Sequence, residues 1–315
     1  MNELTVLNGS QLPASVSPIR QWLAGQRSPL TRKAYETDMR LFLAFTRLTE
    51  DDLNRLHRSD IVSIVEGYRD SISQYKEGSN YILNAKTVSR KLMTLRVFFQ
   101  YLVESGRIER NPVEYVKSVT VPDKSTREGM TEFEFCKILE AVQDGSIRGK
   151  RNRVILNMLY HCCLRRSEVA NIRIEDLIQN GENGQVRVIG KGNQFLIKDV
   201  PAQLLQQIET YLQATGRDLN AKGFLFLSHS NRNSNSEGIT DQSIYAMFKD
   251  AVKKAGIAGN KTPHSLRHAS ITHALNRKSD IMKVKAMSGH KDIKMITHYY
   301  RGGQESATFD LAPNF

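Results

Sequence analysis

The stretch 184–201, GQVRVIGKGNQFLIKDVP, carries the clearest strand signature in the 315-residue chain. Apolar and polar residues alternate on either side of Gly190-Lys191-Gly192-Asn193, which reads as strand, turn and strand. The sequence around it has helical periodicity. Downstream, helices are expected over 201–215, 240–255, 264–276, 280–288 and about 293–300, and upstream near 131–143, 150–163 and from Arg166 onward. The fold class that follows is mainly α with a small antiparallel β hairpin or sheet.

The first 120 residues are read as a helical bundle. Tyr35, Met39, Phe42 and Phe45 recur at three- and four-residue spacing after Thr31, the expected N-cap. A second helix is expected over 59–75 and a third over 84–104. The third pairs an apolar face (Leu92, Leu95, Phe98, Phe99, Leu102) with a basic one (Lys86, Arg90, Lys91, Arg96). It should stop near Gly106, and Asn111-Pro112 forbids its continuation. From 116 to 130, VKSVTVPDKSTREGM loses periodicity and gains charge, which marks a linker. The expected organisation is a leader over 1–16, a helical domain over 17–115, the linker, a second domain over 131–300 and a tail over 301–315.

Charge narrows the partners. Lys and Arg number 45 against 33 Asp and Glu, a net +12. Residues 251–300 hold ten basic side chains against Asp280 and Asp292, and five of the eight histidines. A field of that sign suits a polyanion, either nucleic acid or an anionic membrane surface, or else keeps a solvated face soluble. No apolar run approaches the roughly 18 residues that span a bilayer, and the N-terminus has no secretory pattern. Cys136, Cys162 and Cys163 have no disulfide or zinc spacing, so they read as structural thiols in a reducing compartment.

Four stretches combine basic, imidazole and phenol groups: Cys163-Leu164-Arg165-Arg166-Ser167-Glu168, Gly190-Lys191-Gly192-Asn193, Pro263-His264-Ser265-Leu266-Arg267-His268, and Ser288-Gly289-His290 with Tyr299 nine positions later. Together they suit phosphodiester cleavage without a metal. Attack on a diester builds negative charge on the non-bridging oxygens, and no carboxylate cluster is present to hold magnesium. Guanidiniums match phosphate oxygens as planar forks. A tyrosine, with a reference pKa near 10, needs a base or a positive field to attack. The leaving oxygen needs a proton, which a lysine can supply. Taken singly, each piece is ambiguous: Tyr300 lies beside Tyr299 and Arg166 beside Arg165. His264 and His268 are spaced like zinc ligands but lack the HExxH glutamate.

The ordered set resembles the tyrosine site-specific recombinases, which include Xer-type resolvases, phage integrases and transposon recombinases. Leu164-Arg165-Arg166-Ser167-Glu168 matches the L-R-x-S-E box, Lys191 the hairpin lysine, and His264-Ser265-Leu266-Arg267-His268 with Thr272-His273 the H-x-L-R-H region. Gly289-His290 matches the G-H box and Tyr299 the nucleophile. Similarity extends through TRKAYETDMRLFLAF (31–45) and 84–112, so it covers about residues 17–300.

The resemblance implies a SAM-like helical core-binding domain followed by a mixed α/β catalytic domain, together forming a C-shaped clamp on duplex DNA. It implies that Tyr299 attacks the scissile phosphate to form a 3′-phosphotyrosyl bond. Arg165 and Arg267 would clamp the non-bridging oxygens, His264 would help deprotonate the phenol, and His290 would hydrogen-bond the phosphate. Lys191 would protonate the 5′-oxygen, Glu168 would brace the site from behind, and Lys86, Arg90, Lys91 and Arg96 would contact DNA. No cofactor, ATP or metal is implied.

The implied partners are a duplex recombination site and a homotetramer on two such sites, with a DNA-bending or partner recombinase as an accessory, and no membrane. The tail over 301–315, with Phe309, Leu311 and Phe315, would dock on a neighbouring protomer or on its own. The location implied is cytoplasmic, at the nucleoid. Cys163 stands where the family usually has glycine, and Ser288 where it has leucine. Gln194-Phe195-Leu196 carries less charge than is common. A type IB topoisomerase, an inactive DNA-binding accessory protein and a membrane-surface protein are the alternative readings.

Overall fold

A computed structural model describes residues 17–50, 52–54, 58–73, 85–120, 129–190, 194–229, 237–290 and 292–297. The chain separates into two compact units, 1–126 and 127–315.

The first unit is built from α1 (Pro18–Ala24), α2 (Pro29–Thr46), α3 (Arg58–Ser73) and α4 (Ala85–Glu104), with a short 3-10 turn over Pro112–Tyr115. Their apolar faces meet in a core of Trp22, Met39, Phe42, Val65, Tyr68, Leu95, Phe98, Phe99 and Leu102. Trp22 stacks on Tyr35 at 4.9 Å and meets Phe98 edge-on. The chain leaves α4 through Gly106 at φ +69, where the Arg107 N–H reaches back to the Leu102 carbonyl at 2.9 Å.

Two expectations need correction here. The N-cap of α2 is Ser28, not Thr31: its hydroxyl accepts the Thr31 N–H, and Pro29 takes the first helical position, where no donor is needed. Lys91 does not share the exposed basic face of α4. It is buried, and its Nζ donates to Asp38 at 2.9 Å, while Arg90 and Thr94 donate to the same carboxylate. A carboxylate as buried as Asp38 requires such compensation, which draws Lys91 inward. Lys86 is exposed, Arg90 keeps an exposed flank beside Asp38, and Arg96 is half-buried.

The second unit contains α5 (Glu132–Ala141), α6 (Ile147–His161), α7 (Arg166–Ala170), β1 (Leu177–Asn180), β2 (Asn183–Ile189), β3 (Phe195–Val200), α8 (Ala202–Ala214), α9 (Asp241–Lys254), α10 (Pro263–Asn276), α11 (Ile281–Ser288) and α12 (Lys294–Thr297). The strands form one antiparallel sheet in the order β1-β2-β3, with Ile189 opposite Phe195 and Gly184 opposite Val200. β1 and α1 were not expected from the sequence. Strand β1 is only four residues long and turns at once through Gly181, φ +64, into β2.

The main core runs through Ile155, Met158, Leu159, Ile208, Tyr211, Phe226 and Phe248. A second, smaller cluster of Cys163, Ile271, Leu275, Val284 and Ile296 seats α10, α11 and α12 on one another. Burial pushes the Cys162 thiol up to about 12 and raises Cys163 as well. Among the described residues, no helix is long and apolar enough to cross a membrane.

Candidate active site

The site begins where α6 ends. Cys163 occupies the left-handed region at φ +52, so the family's glycine position is a turn that a side-chain-bearing residue enters only under strain. The next residues carry the chain into α7. Its third residue, Glu168, reaches back: one carboxylate oxygen accepts the Arg165 N–H at 2.7 Å and the other its Nη1 at 2.6 Å. The neighbouring Arg166 points elsewhere, paired with Asp241 at 2.9 Å and lying over the Tyr245 ring. This contrast separates two arginines that adjacency in sequence leaves equivalent.

α10 supplies the second basic group. Thr262 caps it, with its N–H on the Ser265 hydroxyl at 3.1 Å, and Pro263 begins the first turn. His264 follows on the exposed side of that turn, and Arg267 lies one turn further in, 3% exposed. The Arg267 Nη1 donates to the Cys163 carbonyl and its Nη2 to the Ser288 carbonyl. One guanidinium thus joins the end of α6 to the end of α11. The chain leaves α11 through Gly289, φ +64, and enters His290.

Arg165, Gly190, Gln194, Leu196, Met282, Lys285, Ala286, Gly289 and His290 line a cleft of about 490 Å³. His290 is held at about 4, well below the ordinary imidazole value. Burial is the largest cause, followed by the positive fields of Arg267, Arg165, His264 and Lys198. The imidazole is therefore neutral at pH 7, with one N–H to donate. Arg267 and His264 on α10, Lys198 on β3 and Arg165 at the corner before α7 all act on this one ring, and Arg165 lines the same cleft as His290. An array of this kind attracts a phosphate and can brace added negative charge on it.

The structure accordingly brings together Arg165, Glu168, His264, Arg267 and His290. Lys191 and Tyr299 lie outside the described residues. Sequence reasoning missed Lys198, which is buried on β3 with its Nζ on the carbonyls of Ala286 and Met287. The available signal was a lysine in the inward register of an alternating strand. Among the described residues, no group of three or more His, Cys, Asp or Glu side chains is placed to hold a metal ion.

The phage integrase family profile matches residues 128–305, and the phage integrase N-terminal SAM-like domain profile matches residues 21–106. Tyrosine recombinase XerD of Listeria monocytogenes serotype 4b (strain F2365) is 28% identical over 279 residues, covering 85% of this chain and 86% of that protein. In fold, the chain is similar to the Tn1549 transposon integrase (aa 82–397) in complex with circular intermediate DNA, with a TM-score of 0.67 and 20% identity over 94% of this chain and 98% of that one. It is also similar to a lambda integrase tetramer bound to a Holliday junction, with a TM-score of 0.65 and 17% identity over 90% and 74%. A catalytic-domain match over more than half the sequence, on a site whose basic groups converge as described, establishes that the chain belongs to the phage integrase family of tyrosine recombinases.

Proposed function

We propose that this chain is a site-specific DNA recombinase that cuts and rejoins duplex DNA through a 3′-phosphotyrosine intermediate. Tyr299 supplies the phenolic oxygen. Its attack on the scissile phosphorus forms the phosphotyrosyl bond and breaks the bond to the 5′-oxygen, which departs with a proton from Lys191. Arg165 and Arg267 stabilise the charge that grows on the non-bridging oxygens, while neutral His290 donates its N–H to one of them. His264, at the start of α10, takes the phenolic proton. The phosphodiester energy is kept in the covalent link, so rejoining consumes no ATP. The observation that carries this reading is that Arg267 ties the corner leading into Arg165 to the end of α11 that leads into His290, so that Arg165 and His290 line one cleft.

The partner is a duplex recombination site, on which Lys86, Arg90 and Arg96 contribute phosphate contacts. Two sites are brought together by four protomers and exchanged through a Holliday junction, in the cytoplasm at the nucleoid. A lambda integrase tetramer on such a junction shares this fold and supports that assembly. The test is a duplex nicked beside the site, which loses its religating end after cleavage. The wild-type chain should form a covalent protein–DNA adduct, and Tyr299→Phe should form none. An adduct that survives in Tyr299→Phe and vanishes in Tyr300→Phe would move the nucleophile by one residue. Absence of any adduct with cognate DNA would end the reading.

A further inference from the structure

Strand β3 places a lysine where its register calls for an apolar side chain. Lys198 and Val200 are buried and Leu196 partly so, while Phe195, Ile197 and Asp199 are exposed. Lys198 is 5% exposed, and its Nζ donates to the carbonyl oxygens of Ala286 at 2.6 Å and Met287 at 2.8 Å. Both carbonyls belong to the last turn of α11, where the helix offers them no partner of its own. The next carbonyl, that of Ser288, accepts from Arg267. Three successive carbonyls are thus closed by two buried cations from two other elements, which suits the negative end of the helix dipole. The Gly289 corner is packed directly on the ammonium. A Cβ added there would lie 3.2 Å from the Lys198 Nζ and 3.4 Å from the Leu196 Cδ1.

We propose that Lys198 is a positioning residue of the active site: by holding the Ala286 and Met287 carbonyls, it fixes the Gly289–His290 corner against the hairpin strand and so keeps the imidazole at the cleft. It touches no reacting atom and acts through His290. Because Lys198 lies on β3, the contact also ties the β2–β3 pair to α11. A buried ammonium is a costly way to fill space, since the charge must be desolvated before its hydrogen bonds offset the loss. Methionine would fill the same slot without that cost, which argues that the donors themselves are what the position requires.

The proposal rests on the recombinase reading, and its test uses the full chain on a nicked suicide duplex. Lys198→Met should slow adduct formation about tenfold or more, while DNA affinity stays within about threefold. In a His290→Ala background the same change should slow the reaction by less than about twofold, because both substitutions remove one effect. Lys198→Met should stay slow on a substrate whose 5′-bridging atom is sulfur, which departs without needing a proton.

Wild-type rates in a folded Lys198 variant would overturn the proposal. So would multiplicative losses in the double variant, or recovery on the sulfur substrate, which would make Lys198 the acid instead. Lys198→Gln is measured alongside. If neither variant folds, the lysine serves the fold alone and the positioning role falls. Failure of the underlying reading is seen separately, as no adduct from the wild type or persistence of the adduct in Tyr299→Phe.

Discussion

Glu168 holds Arg165 at two points, the backbone N–H at 2.7 Å and Nη1 at 2.6 Å. The carboxylate side chain is 4% exposed and the arginine side chain 38%, so a buried group aims an accessible one. The same contact that starts α7 also sets the direction of the guanidinium.

Replacing Glu168 with Gln keeps the size but puts an amide where two N–H groups converge on a carboxylate. Covalent adduct formation should slow about tenfold or more, each factor of ten corresponding to ~1.4 kcal/mol in the barrier. Duplex affinity should change far less. Single-turnover cleavage measures the first quantity and fluorescence anisotropy the second, and an unchanged cleavage rate would deny Glu168 its bracing role.

His290 should titrate near 4, not near the ordinary 6.5. Between those values the unfolded chain binds a proton that the folded chain refuses, so this group's contribution to stability is complete above about pH 6.5 and is lost as pH falls toward 4. The wild type should therefore lose Tm on acidification more steeply than His290→Asn over that window. NMR of the imidazole gives the direct check, and titration near 6.5 would contradict the electrostatic picture of the site.

Asp38 makes the first unit acid-sensitive in its own way. Burial alone would raise its carboxyl, but hydrogen bonds from Arg90, Lys91 and Thr94, with the Lys91 charge, hold it below the ordinary value. Its stabilising contribution is present above about pH 4 and is lost as pH falls through the lowered folded value. Asp38→Ala leaves Lys91 buried without its carboxylate and should destabilise the unit by about 3–5 kcal/mol. The chain's single tryptophan, Trp22, lies in that core and reports its unfolding by fluorescence.

DNA binding should distinguish Lys86 from Lys91, although both lie on α4. Lys86→Ala should lower affinity and reduce the slope of log affinity against log salt by about one unit, as removal of one phosphate contact does. Lys91→Met should leave that slope unchanged and shift the Trp22 unfolding transition instead. Equal slope changes in the two variants would put Lys91 on the DNA face after all.

The sequence displayed the helices well because their apolar spacing is long and regular, as in α4, and it displayed the β2–β3 pair because β2 alternates and Gly190-Lys191-Gly192-Asn193 marks a turn after it. Two short elements escaped it, α1 with seven residues and β1 with four. The motif distinguishes Arg165 from Arg166 by spacing alone, whereas their different partners, Glu168 and Asp241, were not legible in the sequence. Lys91 was misread because amphipathic spacing marks which face a lysine occupies but not whether a buried carboxylate on another helix draws it in. Lys198 escaped for the same reason, since its partners are main-chain carbonyls that no side-chain pattern announces.

Arg267 is bolted to the ends of two helices, and Lys198 joins one of those ends to the sheet. Neither cation can be repositioned without pulling on main chain at both of its attachments. On the mechanism proposed above, the Arg267 charge that favours a crowded, doubly negative transition state is therefore installed when the domain folds, and an arriving duplex need not spend binding energy assembling it.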